Sequence, residues 1–232
     1  MTTRTMSTRT TCLIAVLLAI SCGAAARDAK MGSVTVDLAA PRGYCELVDS
    51  QASDTRTLQT IRTALGSQNE LLAMYADCAQ LSDWRKGTRK LLDDYVQYQT
   101  TPSLKDVTVE AASTIKDACK SVREMAGQSL TESLVELNKR ISTTASSVKV
   151  NEVKFLGVVA EDDTACYAAM LQKLTTEIRT EKTQVILMAI TVAKGKMLRY
   201  IMYTPYVDAE TVDKMLARHR INITAFLAAN RK

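Results

Sequence analysis

Residues 184–206, QVILMAITVAKGKMLRYIMYTPY, constrain the fold more than any other stretch of this chain. Two apolar runs, Val185–Ala193 and Met197–Thr204, flank the short polar insert of Lys194, Gly195 and Lys196, the pattern of a β-hairpin. In the first run both alternating sets are apolar, Val185, Leu187 and Ala189 on one side and Ile186, Met188 and Ile190 on the other. Neither side is written for water, which predicts a central strand. A buried helix would also be apolar all round. Here the run stops after nine residues at Lys194 and Gly195, and its Val, Ile and Thr lower helix propensity.

With 232 residues, 47% hydrophobic and 24% charged, the composition is that of a globular protein and one domain is the default expectation. The net charge of +5 falls to +3 when Arg4 and Arg9 are removed with a leader, and acidic residues are interspersed among the basic ones. That balance excludes a nucleic-acid reading based on charge.

Arg4 and Arg9 precede an apolar run from Cys12 to Ile20, followed by small residues from Ser21 to Ala26. This is the order of a secretory signal peptide. Ala24, Ala25 and Ala26 satisfy the small-x-small rule, so residues 1–26 are expected to be removed and 27–232 to form a single extracytoplasmic domain. The run is too short to span a bilayer, and no transmembrane helix is expected after cleavage. A second reading takes Ala19, Ile20, Ser21 and Cys22 as a lipobox with Cys22 as the lipidated first residue. It departs from the usual pattern, because Ala stands where Leu is usual three residues before the cysteine.

Export changes how the cysteines read. Cys45, Cys78, Cys119 and Cys166 remain after cleavage, an even number in a compartment that permits disulfides. None forms a C-x-x-C pair, which removes the usual spacing for zinc or thioredoxin-like redox chemistry. Three pairings are possible. Cys45–Cys78 with Cys119–Cys166 is preferred, since each would join neighbouring elements.

Along the chain, Arg27–Ser33 reads as a polar leader and Val34–Leu38 alternates as a strand. Pro41–Gly43 then turns the chain before Tyr44–Val48. Ser53 or Asp54 can cap a helix carrying Leu58, Ile61 and Leu65, with Gly66 in the C-terminal position. Leu71–Ala76 reads as a buried strand, Leu81–Gly87 as a loop in which Trp84 packs on the core, and Tyr95–Tyr98 as a strand. Residues 107–145 show one amphipathic face in two helical segments or one kinked helix, through Ala111, Ile115, Ala118, Val122, Met125, Leu130, Leu134, Leu137 and Ile141, with Gly127 near the seam. The polar face mixes Lys116, Asp117, Lys120 and Glu124, so it is expected to line the protein's own sheet and not a membrane. Val153–Val159 and Ala165–Leu174 read as strands, which would make an antiparallel meander, although the Ala, Met, Leu, Gln and Lys of the second also suit a helix. After Pro205 comes a last helix with Asp208 as N-cap, a stripe of Val212, Met215, Leu216, Ile223, Phe226 and Leu227, and Arg231 and Lys232 at its negative end.

Constellations that carry chemistry are thin. His219 is the single histidine, and its place on the apolar stripe of the last helix marks it as a core or boundary residue. No G-x-S-x-G, H-E-x-x-H, P-loop or G-x-G-x-x-G occurs, and no cofactor is implied. Asp93 and Asp94, and Glu161, Asp162 and Asp163, are consecutive carboxylates expected to be solvated, as they lack a ligand-spaced loop. Asn222, Ile223 and Thr224 match a glycosylation sequon inside a predicted helix, where use is not expected.

The order of elements raises a resemblance. A secretory leader, a strand, Pro-x-Gly-Tyr-Cys at 41–45, a capped helix, LLAMYADCAQLSDW at 71–84, and a Gly195–Lys196 hairpin before a final helix together resemble uncharacterised exported proteins of proteobacteria. An antiparallel sheet with helices against it is also similar to the PsbP-like fold of small extracytoplasmic proteins. Neither resemblance implies catalytic residues. The expectation is an α+β fold: an antiparallel sheet containing the 185–204 hairpin, covered by the 107–145 helical segment and the 208–229 helix. Functionally, the chain reads as a non-catalytic exported protein that binds another protein or an envelope component. The alternatives are a periplasmic hydrolase using Asp or Glu residues and a lipid-anchored envelope protein.

Overall fold

The computed structural model describes residues 27–125, 131–143, 148–175 and 180–231. The expected leader 1–26 with Cys22, the seam residues Gly127 and Leu130, and Lys232 lie outside them. The fold is α+β. A small sheet pairs β1 (Arg27–Met31) with β2 (Val34–Leu38), and a seven-stranded antiparallel sheet carries the rest. Its strands are β3 (Tyr44–Glu46), β4 (Glu70–Asp77), β5 (Tyr95–Thr100), β6 (Lys149–Glu161), β7 (Ala165–Thr175), β8 (Glu181–Ala193) and β9 (Lys196–Pro205), in the order β3-β4-β5-β9-β8-β7-β6.

The β8–β9 hairpin sits at the centre of this order. Ala193 pairs with Lys196 across a two-residue turn of Lys194 and Gly195, with φ of 51° and 72°. Positive φ at both positions is the primed turn that matches strand twist. Lys196, read from sequence as part of the loop, opens β9 and is buried, its Nζ donating to the Val107 carbonyl at 3.0 Å. Gly195 accepts from Val109 N at 2.9 Å. The hairpin tip thus holds residues 107–109 extended, and helix α3 begins only at Ala111.

The two sides of β8 face different cores. Val185, Leu187 and Ala189, with Tyr167, Tyr200, Tyr98 and Tyr75 of neighbouring strands, pack against Met215, Ile223 and Phe226 of α5 (Glu210–Ala229). On the opposite side lie α1 (Ala52–Leu65), α2 (Cys78–Arg85), α3 (Ala111–Met125) and α4 (Thr131–Ser142). There Ile115, Cys119 and Val122 of α3 meet Cys166, Ala168 and Ile190, while Leu58 of α1 and Leu81 of α2 meet Met74 and Ala76 of β4. The sheet is thereby covered on both faces. Among the described residues no helix is long and apolar enough to cross a membrane.

Several local expectations are corrected. Arg27–Met31 is a strand and not a polar leader, because its alternation sends Ala29 and Met31 inward toward Val36 and Leu38. The α1 N-cap is Gln51; Asp54 instead lies fully buried within the first turn, accepting from Val48 N at 3.0 Å and from Arg85. Residues 78–85 are helical and not a loop, since Asp77 accepts from Gln80 N at 2.9 Å and caps that turn. Asp208 lies one residue ahead of the α5 N-cap, Ala209. Residues 107–110 are not helical, and Glu110 takes the first free amides of α3, from Ala112 at 2.9 Å and Ser113 at 2.7 Å.

Candidate functional site

The two disulfides expected from four cysteines are present, Cys45–Cys78 and Cys119–Cys166. The first ties the short strand β3 to the start of α2. The second pins α3 to β7, with both cysteines fully buried. They are structural links, and neither lies in a cleft.

Side chains with the potential for chemistry are mostly engaged. His219 is fully buried between Tyr167 and Tyr200, ring centroids 5.6 and 4.8 Å away. A carbonyl can only accept, so the 3.1 Å contact to Leu187 O identifies Nε2 as the protonated nitrogen. Burial pushes its pKa down to about 3, so His219 stays neutral through the physiological range. Asn222 donates its amide to Tyr200 Oη at 3.0 Å, which commits the sequon side chain to the interior. Trp84 is half-buried against the Leu58 and Leu81 core.

Of the consecutive carboxylates expected to be solvated, Asp163 is exposed, whereas Asp93, Asp94, Glu161 and Asp162 are engaged by cations or amides. Asp162 accepts from Thr164 N at 2.9 Å and Ala165 N at 3.1 Å, closing the β6–β7 turn, with Arg220 at 3.4 Å. Burial opposes its charge, but the hydrogen bonds from Thr164 and Ala165 hold the carboxyl below the ordinary range. Asp54 shows the same balance, burial opposed and outweighed by Arg85 and Val48 N–H. Asp49 is lowered by the paired hydrogen bonds of Arg62. These shifts run opposite to the raised pKa of a carboxyl serving as a general acid. Among the described residues no group of three His, Cys, Asp or Glu side chains is placed to hold a metal ion.

Asp93 and Asp94 organise one end of the molecule. They precede β5 and receive the Gln80 side chain on their backbone amides, at 3.0 and 3.3 Å. Asp93 pairs with Arg89 and Lys182, each at 2.8 Å. Asp94 accepts both arms of Arg218 from α5, at 3.0 and 3.1 Å, and the Tyr44 hydroxyl at 2.5 Å. Burial first, and then the neighbouring Asp94, hold the Tyr44 phenol well above its ordinary range. Tyr44 is therefore a protonated hydrogen-bond donor to Asp94.

Arg218 also lines an open cleft of about 380 Å³ between the end of β9 and α5. Thr204, Pro205, Val207, Asp208, Thr211, Lys214 and Met215 complete it. Thr211 fixes the approach, because its Oγ1 accepts from Val207 N at 3.2 Å and Asp208 N at 3.0 Å. With the backbone pinned inward, the Val207 side chain is 79% exposed and Tyr206 beside it 38%. Asp208 is the carboxylate among these lining residues. The cleft presents an apolar knob, the Met215 floor and two cations, Arg218 paired with Asp94 and Lys214 paired with the exposed Glu210. Sequence reasoning did not single out Val207, Lys214 or Arg218. The available signal was Tyr206 and Val207, two apolar residues in the linker after Pro205.

No protein-family model matches the chain, and no curated protein matches it. Among solved structures it is similar to the cyanobacterial PsbP protein CyanoP from Synechocystis sp. PCC 6803, at 11% identity and a TM-score of 0.34, covering 78% of this chain and 79% of that one. It is also similar to the Saccharomyces cerevisiae Ran-binding protein Mog1p, at 10% identity and a TM-score of 0.30, covering 88% of this chain and 94% of that one. Likenesses at this level do not bear on function.

Proposed function

We propose that this is a non-catalytic exported protein, residues 27–232 acting as one unit that docks a partner protein through the cleft between β9 and α5. The observation that carries the reading is Val207, 79% exposed at an open cleft floored by Met215 and edged by Arg218, which Asp94 anchors. An exposed apolar side chain beside a cleft with polar edges is the anatomy of a contact patch. Export is supported by the leader-like residues 1–26 and by two disulfides, which persist in oxidising compartments.

A photo-crosslinking residue at Val207, compared with one at the exposed Lys173 on β7, tests the docking surface in the native host. A discrete adduct from position 207, absent from 173 and weakened by Lys214→Glu, is expected; equal labelling from both positions, or none, refutes it. An intact mass of the native protein tests export separately. A chain starting at Arg27 that gains about four hydrogens on reduction fits two disulfides, whereas a retained leader overturns the compartment and a lipidated Cys22 places the same domain on a membrane.

A further inference from the structure

A second open cleft, about 450 Å³, lies at the opposite end of β5, lined by Arg27, Arg62, Gly66, Ser67, Asn69 and Glu70 among others. The cations at its mouth have counter-charges. Arg27 pairs with Glu46 at 2.9 Å, Arg62 is bidentate to Asp49 at 2.8 and 2.9 Å, and Lys105 reaches Glu70 at 2.9 Å.

Two further arginines behind this wall do not. Arg199 of β9 donates to Asn69 Oδ1 and, at 3.1 Å, to Thr101 Oγ1, and its Nε is buried without an acceptor. Arg140 of α4 lies against Gly66, and its Nε is likewise buried without an acceptor. Neither is within ion-pair distance of a carboxylate among the described residues. Burial lowers the proton affinity of Arg199, the direction expected of a cation short of counter-charge. Both guanidinium groups meet the 66–69 loop, and that loop is itself a wall of the cleft. Around it Arg27, Arg62, Lys105, Arg140 and Arg199 face Glu46, Asp49 and Glu70, which leaves two positive charges uncompensated. Leaving a partly buried cation unpaired is costly. A phosphate group carries close to two negative charges at neutral pH and acceptor oxygens that suit the guanidinium fork.

We propose that the cleft at the 66–69 loop, whose wall is backed by Arg140 at Gly66 and Arg199 at Asn69, binds the phosphate of a phosphorylated ligand. A cleft of this volume admits a group larger than a bare ion. The site is independent of the β9–α5 cleft, and either can stand without the other.

Amide resonances of Ser67, Gln68 and Asn69, followed by NMR while inorganic phosphate replaces chloride at constant ionic strength, test the proposal. Saturable shifts are expected, with affinity reduced about tenfold or more in Arg140→Gln, which lies on α4 outside the sheet, and in Arg199→Gln. Sedimentation with phosphatidylglycerol but not phosphatidylcholine vesicles, competed by phosphate, identifies a lipid headgroup as the source. Phosphate binding without sedimentation identifies a free phosphorylated molecule. Shifts reproduced by chloride, no saturation, full affinity in Arg140→Gln, or vesicle binding that phosphate does not compete would each overturn the site.

Discussion

Helix α5 and the small β1–β2 sheet beside it cover one face of the seven-stranded sheet, whereas the other face is covered in pieces by α1, α2, α3 and α4. On the α5 side, Met215, His219, Ile223 and Phe226 seat among Tyr98, Tyr167, Tyr200 and Leu187. Asn230 then locks the helix end to β2 through Asp37 N and O, both at 2.9 Å. On the other side the sheet presents Gln97 bonded to Gln99 at 2.6 Å and Gln172 bonded to Gln184 at 2.8 Å, all buried. Both disulfides lie on that side. The 20-residue α5 holds its face largely by packing, while the shorter helices lie over a partly polar face that carries both crosslinks.

Substitutions can break this contrast, and the α5 face is expected to give the largest effect. Phe226 is buried 5.3 Å from the Tyr98 ring, so Phe226→Ala is expected to cost about 3–5 kcal/mol in urea unfolding. An equal loss from an apolar truncation on α3, such as Val122→Ala, would erase the distinction. The next effect belongs to the disulfides. Replacing Cys119 and Cys166 together by Ser is expected to remove about 2–4 kcal/mol. Cys45 and Cys78 are 33 residues apart and Cys119 and Cys166 are 47 apart, a difference worth only about 0.3 kcal/mol in chain entropy. A larger gap between the two double variants in parallel denaturation curves would therefore measure the burial of Cys119 and Cys166, not loop length.

Asp54→Asn should follow, at about 2–3 kcal/mol, because it uncouples Arg85 while leaving the buried amide of Val48 with a weaker acceptor. Thermal melts with Arg85→Met alongside would show whether the pair acts as a unit. The smallest effect at neutral pH comes from His219. Its folded pKa, about 3, lies below the ordinary 6.5, so the unfolded chain binds the extra proton. Its stabilising contribution is complete above about pH 6.5 and is lost as the pH falls toward 3. Stability measured from pH 7 down to 5, above the range where ordinary carboxyls titrate, should decline in the parent and stay flatter in His219→Gln. A parallel decline in both would assign the acid sensitivity elsewhere.

Much of this architecture is legible because the relevant signals are local. The doubly apolar run at 185–193 requires burial on both sides, and positive φ at Lys194 and Gly195 suits the turn between two strands. The period of α3 and α5 likewise marks Ile115, Val122, Ile223 and Phe226 as inward, and His219 with them. Other features had no local mark. Lys196 is polar by type, yet the Val107 carbonyl satisfies it inside the fold. Asp93 and Asp94 resemble solvated acids until Lys182 and Arg218 arrive from far along the chain to join the local Arg89.

The amino-acid sequence by itself determined which segments are strands and helices in the hairpin, the meander and the last helix, because alternation and helical period are properties of neighbouring residues. It also supplied an even set of cysteines for two crosslinks. Only the tertiary structure decided the strand order β3-β4-β5-β9-β8-β7-β6, the surface set by Val207 and Arg218, and the meeting of Arg140 and Arg199 at the 66–69 loop. Those depend on residues as far apart as Asn69 and Arg199, 130 positions in sequence, and their contact follows from the burial of the whole sheet and from no pattern within either segment.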